Sequence, residues 1–157
     1  MAIKSFQLSV RVLFEQNHSF EVPKYQRGYA WDDEAIDDFI DDLAKCLNAR
    51  RNGKQRHHFF GGIVTVRKDA PNSNRSNYEV IDGQQRLASF VMLSAVVIRS
   101  MRNIVGELTK KSSLGAADKK AQSFLTETIE SLRSLYLVYR DNVELEYLEV
   151  PKLMVPA

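Results

Sequence analysis

Residues 78–87 read Tyr-Glu-Val-Ile-Asp-Gly-Gln-Gln-Arg-Leu. A short apolar strand runs into Asp82-Gly83, and an apolar helix begins at Gln84. A strand-to-helix junction gathers the free N–H groups of the first helical turn and the positive end of the helix dipole. That combination suits a phosphate. Gly83 lets the backbone approach a ligand and takes torsions that other residues avoid. Arg86, in the first turn, has the planar fork that grips phosphate. Gln84 and Gln85 offer amides to a base, a ribose or a phosphate. Asp82 can orient a water or hold Mg²⁺. Asp82 and Gln85 alone also satisfy the spacing of a capping box. Two glutamines and an arginine exceed what capping needs, and we read the pentapeptide as functional.

A second block spans Val22 to Trp31, with Tyr25, Gln26, Arg27, Gly28 and Tyr29 inside it. Pro23 stiffens its entry. Arg27 offers a second phosphate grip and Gln26 a reader of the ligand. Tyr25, Tyr29 and Trp31 can stack a base. Packing against the following helix explains each aromatic ring at least as well. A third block, Phe60-Gly61-Gly62-Ile63, places paired glycines within an apolar run. Close approach to a ligand, a bulge and tight packing all account for it.

Taken in order, the three blocks resemble a known family: the ParB/sulfiredoxin-like N-terminal domain of GmrSD-type proteins of modification-dependent (type IV) restriction and phage defence. The resemblance is carried by Pro23 to Trp31, Phe60 to Gly62 and Asp82 to Leu87, and covers residues 8–100. It implies NTP binding and hydrolysis, tied to Asp82, Gln84, Gln85 and Arg86. Gln26, Arg27, Gly61, Gly62, Gly83 and Arg86 would bind nucleotide and phosphate. It also implies Mg²⁺, DNA carrying a modification, and a nuclease domain that is not in this chain. Two positions depart from the family pattern. Leu87 is followed by Ala88-Ser89 where two threonines are usual, and Gly28 stands where proline is frequent. The alternatives left open are a DNA-binding or nucleotide-switch module without turnover, and a sulfiredoxin-like phosphotransferase.

These residues need elements to hold them. Residues 33–51 carry apolar side chains at Ile36, Phe39, Ile40, Leu43 and Leu47, the period of an amphipathic helix. Asn52-Gly53 ends it. Residues 59–67 and 78–81 read as the strands of a long-looped hairpin. Helix 84–108 is apolar on most sides and is expected at the centre. Asp118 is placed as the cap of a last helix reaching Tyr139, Asp141-Asn142 as a turn, and Val143 to Tyr147 as a strand. Near the start, residues 5–22 read as strand, helical turn and strand, with Ser9 capping the turn. The expected fold is mixed α/β, a small twisted sheet packed with helices. Residues 1–109 are expected to form the nucleotide-binding core, and 110–157 a helical extension and the start of a strand, with truncation from a longer protein expected.

Composition bounds the rest. The net charge of +2 hides a segregation: residues 32–42 hold seven acids and no base, leaving 22 basic against 13 acidic residues elsewhere. A basic surface favours polyanions. The acidic run is explained as a solvated helix face matched to its dipole. Cys46 is the only cysteine, so no internal disulfide forms and a cytoplasmic setting is expected. Leu87 to Ile98 falls short of the ~20 residues that span a bilayer, and no membrane partner is expected. No Gly-x-x-x-x-Gly-Lys-Ser/Thr loop occurs, which excludes a P-loop mechanism. His18, His57 and His58 form no zinc or His-Asn-His pattern.

Overall fold

The computed structural model describes residues 4–15, 18–68, 76–111, 113–143 and 146–155. Its elements are α1 (Val10–Glu15), β1 (His18–Glu21), α2 (Asp33–Arg51), β2 (Val64–Lys68), β3 (Ser76–Asp82), α3 (Gln84–Thr109), α4 (Ala116–Tyr136), β4 (Val138–Val143), β5 (Glu146–Pro151) and β6 (Leu153–Met154). The architecture is mixed α/β. One sheet has the order β2-β3-β1-β6, and β4 and β5 form a separate hairpin. β1 runs parallel to both β3 and β6, while β2 is antiparallel to β3.

α2 spans the residues its sequence predicts, although Phe39 alone of its apolar stripe is buried and Ile40 and Leu47 are exposed. Asp32 caps it by accepting from the Ala35 amide at 3.0 Å, and Gly53, at φ 71°, follows its end. Ser9 caps α1 by accepting from the Val12 amide at 3.2 Å. No strand precedes α1 among the described residues. The hairpin of β2 and β3 forms, but β2 starts at Val64 because residues 61–63 serve another purpose, described below. Gly115, not Asp118, is the N-cap residue of α4. Asp118 sits in the first turn, where Lys111 reaches it at 3.0 Å. Asp141 and Asn142 lie in β4, paired with Leu148 and Tyr147. Ladder pairing along the whole hairpin outweighs their local turn preference, so residue 143 ends a strand instead of beginning one.

The core closes on Phe14, Phe20, Val80 and Leu87. Phe14 is its hub, with ring centroids 5.6 Å from Phe20, 5.6 Å from Phe90 and 5.8 Å from Tyr136. A six-residue helix this short survives because Phe14 is wholly buried. Lys152, also buried, donates from Nζ to the Phe14 carbonyl at 2.7 Å. Burial pushes its pKa below the ordinary lysine value. Its backbone ties β6 in, accepting from the Phe20 amide and donating to the Leu137 carbonyl, both at 2.8 Å.

α3 runs further than the apolar stretch 87–98 implies, because Met101, Ile104, Val105 and Leu108 continue it past Arg99 and Arg102. Over 26 residues, with a window of mean hydropathy 1.4, it is long and apolar enough to cross a membrane by length and composition alone. This corrects the expectation drawn from that stretch. Here its first turns lie inside the protein, with Gln84, Gln85, Leu87 and Ser89 buried.

Candidate functional site

The junction between β3 and α3 is built backbone on backbone. Gly83 is the N-cap residue of α3 at φ 90°, with no side-chain cap. A Cβ there would lie 2.9 Å from the Gly62 carbonyl oxygen and 3.2 Å from the Ile63 Cα. Only glycine satisfies both the torsion and the contact. The capping box that Asp82 and Gln85 permit by spacing therefore does not form. The amides of the first turn are left to other partners.

Arg86 lies across Gly61. A Cβ on Gly61, itself at φ 93°, would meet the Arg86 Nε at 2.9 Å and its Cδ and Cζ at 3.1 Å. The guanidinium donates from Nη2 to the Gly62 carbonyl at 2.6 Å. It also faces the Asp82 carboxylate at 3.8 Å. Residues 61–63 thus form a seat for Arg86 and Gly83, which is why the strand expected from Phe59 begins only at Val64. Arg86 Nε is buried and has no hydrogen-bond partner among the described residues. Asp82 is exposed.

The glutamines hold the Tyr25–Trp31 segment against this junction. Gln84 donates from Nε2 to the Arg27 carbonyl at 3.0 Å. Gln85 uses both ends of its amide: Nε2 donates to the Gly28 carbonyl at 3.0 Å, and Oε1 accepts from the Ala30 amide at 2.9 Å. Gln26 reaches back from the segment, donating to the Ile81 carbonyl at 2.9 Å. Gln84 Oε1 is buried without a partner among the described residues. The structure thus gathers all three blocks, and Gln26, Gln84 and Gln85 enter as positioning groups.

The aromatic residues divide. Trp31 packs edge-on against Phe39 of α2, centroids 5.7 Å apart. Tyr29 is tied by its hydroxyl to the Ser89 hydroxyl at 2.8 Å, and Ser89 in turn donates to the Gln85 carbonyl at 2.9 Å. The hydroxyl retained at Ser89 therefore holds the aromatic block. The sequence marks Ser89 as a departure from the family's threonine pair, and its place one turn after Gln85 is the signal for this contact. Tyr25 keeps an open ring, 72% exposed. Its hydroxyl donates to Glu79 at 2.8 Å. Lys68 bridges Glu79 at 2.8 Å and Glu21 at 3.2 Å. Lys68, then Tyr25, hold the Glu79 pKa below the usual carboxylate value, and Glu79 raises the pKa of both partners.

Among the described residues no three His, Cys, Asp or Glu side chains are grouped to hold a metal ion. A divalent ion at Asp82 would take most of its ligands from water and phosphate oxygens, as Mg²⁺ commonly does. The Arg86 guanidinium, about one-third exposed, is the cation nearest Asp82 at this junction.

This is a mixed α/β domain whose distinctive feature is an arginine seated on paired glycines at a glycine-capped helix start. Residues 10–153 match the family described as GmrSD restriction endonuclease, N-terminal domain. The chain belongs to that family, and its setting is DNA restriction and phage defence. Comparison with curated proteins gave no match.

Proposed function

We propose that this domain binds a nucleoside triphosphate at the β3–α3 junction and hydrolyses it, within a cytoplasmic, modification-dependent restriction protein. The fold is taken to be a ParB/sulfiredoxin-like variant. One observation supports the reading: the Arg86 guanidinium is fixed by the Gly62 carbonyl at the glycine-capped start of α3, beside the exposed Asp82 carboxylate.

In this reading Arg86 meets the phosphate charge, and the amides that follow Gly83 cradle its oxygens. Arg27 supplies a second cation from the segment that Gln84 and Gln85 hold. Asp82, exposed and 3.8 Å from Arg86, orients the attacking water or a water on Mg²⁺. Mg²⁺, when bound, would lower the charge repulsion between phosphates and attacking oxygen. Water forms the new P–O bond, the bridging P–O bond breaks, and nucleoside diphosphate and phosphate leave. Positioning and charge stabilisation do most of the work in such chemistry.

Calorimetric titration with GTP, ATP, CTP and UTP, with and without Mg²⁺, tests this, with phosphate release followed in the same samples. Saturable binding is expected, and Arg86→Ala should abolish it while the thermal transition stays cooperative. Binding without release would remove hydrolysis from the isolated domain. If no nucleotide binds, or if affinity in Arg86→Ala merely follows the folded fraction, the site assignment fails.

A further inference from the structure

The charge segregation continues beyond the acidic run. From Leu43 to Lys68 the chain carries seven Lys or Arg residues and no Asp or Glu. Lys45 and Lys68 have carboxylate partners, Asp42 for the first, Glu21 and Glu79 for the second. Arg50, Arg51, Lys54 and Arg56 are exposed and make no ion pair with any described residue. Arg50 and Arg51 complement the carboxyl end of α2. Lys54 and Arg56, beyond the helix, have no such task.

Arg56, with Asp42, Cys46, His57, His58 and Phe59, lines a hollow of about 250 Å³. One wall is firmly held. His58 faces the Asp42 carboxylate at 3.6 Å and meets the buried Phe39 ring at a centroid distance of 5.9 Å. Phe60 turns inward, onto Phe39 and Phe90. Phe59 turns outward and is 87% exposed. An open aromatic face at a hollow with an unpaired arginine in its wall, and three more unpaired cations within the preceding six residues of chain, is an arrangement that can stack one base and track a sugar–phosphate backbone.

We propose that Arg50 to Phe59 form a nucleic-acid contact surface, with Phe59 stacking an unpaired base and Arg50, Arg51, Lys54 and Arg56 holding the adjoining phosphates. The surface shares no residue with the β3–α3 junction. The proposal rests on the reading that the protein acts on DNA, and it says where a strand would lie.

Fluorescence anisotropy with a labelled single-stranded DNA oligonucleotide, repeated over a salt series, tests it. Nucleotide titration of the same samples runs alongside. The chain should bind the strand with a steep salt dependence. Arg50→Ala/Arg51→Ala/Lys54→Ala/Arg56→Ala should flatten the slope of log K against log salt by about 3, at ~0.7 per phosphate contact on a single strand. Phe59→Ala should weaken the single strand about ten-fold or more and leave the slope alone. Both variants should keep the parent's nucleotide affinity, because the altered side chains are exposed and none contacts a junction residue. No strand binding by the parent chain, or an unchanged slope in the fourfold variant, overturns the proposal. An unchanged affinity in Phe59→Ala overturns the stacking role. Failure of the parent to bind nucleotide while these strand effects persist would sink the NTP reading and leave the surface standing.

Discussion

Gly61 and Arg86 act as a pair. The glycine is needed twice, for its φ of 93° and for the space that the guanidinium fills. Gly61→Ala should cost about 2 kcal/mol or more, from the left-handed torsion forced on alanine and from displacement of Arg86. In an Arg86→Ala background the contact part vanishes and only the torsional part, ~1–2 kcal/mol, remains. Urea denaturation of the two single variants and the double closes this cycle. Equal costs in both backgrounds would mean that the seat is not specific to the arginine. The sequence showed the glycine pair and the arginine separately, some 25 positions apart. What it could not show was that one rests on the other, because that contact depends on the hairpin register of β2 and β3.

At the scale of elements, the unit is a helix start and the segment pinned to it. Gln85 bonds to the backbone on both sides of Tyr29. Its replacement leaves a carbonyl and an amide without their partner. Gln85→Ala should therefore cost roughly 1–3 kcal/mol, and trypsin should cut faster after Arg27 in the loosened segment. Unchanged stability together with unchanged cleavage would show that the segment is held elsewhere. Periodicity made α2, α3 and α4 legible, because an apolar stripe repeats over many turns and survives local exceptions. Strand limits were harder. The apolar character of residues 59–63 was plain, but residues 61–63 serve the arginine seat instead of a ladder. Asp141 and Asn142 prefer turns alone and yield to pairing. The glutamine amides, which suggest ligand readout by type, bond to backbone carbonyls here, a geometry that residue type alone does not reveal.

For the molecule as a whole, pH acts first through His18. Burial, then the nearby charges of Lys152 and Arg67, lower its pKa below the ordinary 6.5, although its Nδ1 lies 3.3 Å from the Leu13 carbonyl. The unfolded chain therefore takes up this proton at a higher pH than the folded one. Stability from this group is complete above 6.5 and declines as the pH falls from there through the folded value. Melting temperature plotted against pH should bend downward below 6.5, and His18→Gln should remove that bend. The depressed carboxyls of Glu79 and Glu149 act separately, below 4.5. A bend that persists in the variant would assign the effect to another group.

The buried lysine joins residues 138 positions apart, and β6 adds its edge to a strand near the beginning of the chain. Such closure pays most of its loop entropy before its contacts form. On the ribosome, α1 and β1 would emerge early and wait. The Phe14 carbonyl could not meet its lysine donor, nor the core receive Leu153, until residues 152 and 153 had been synthesised and had cleared the exit tunnel. The domain would then complete its core late, in one step, with its first helix depending on its last strand.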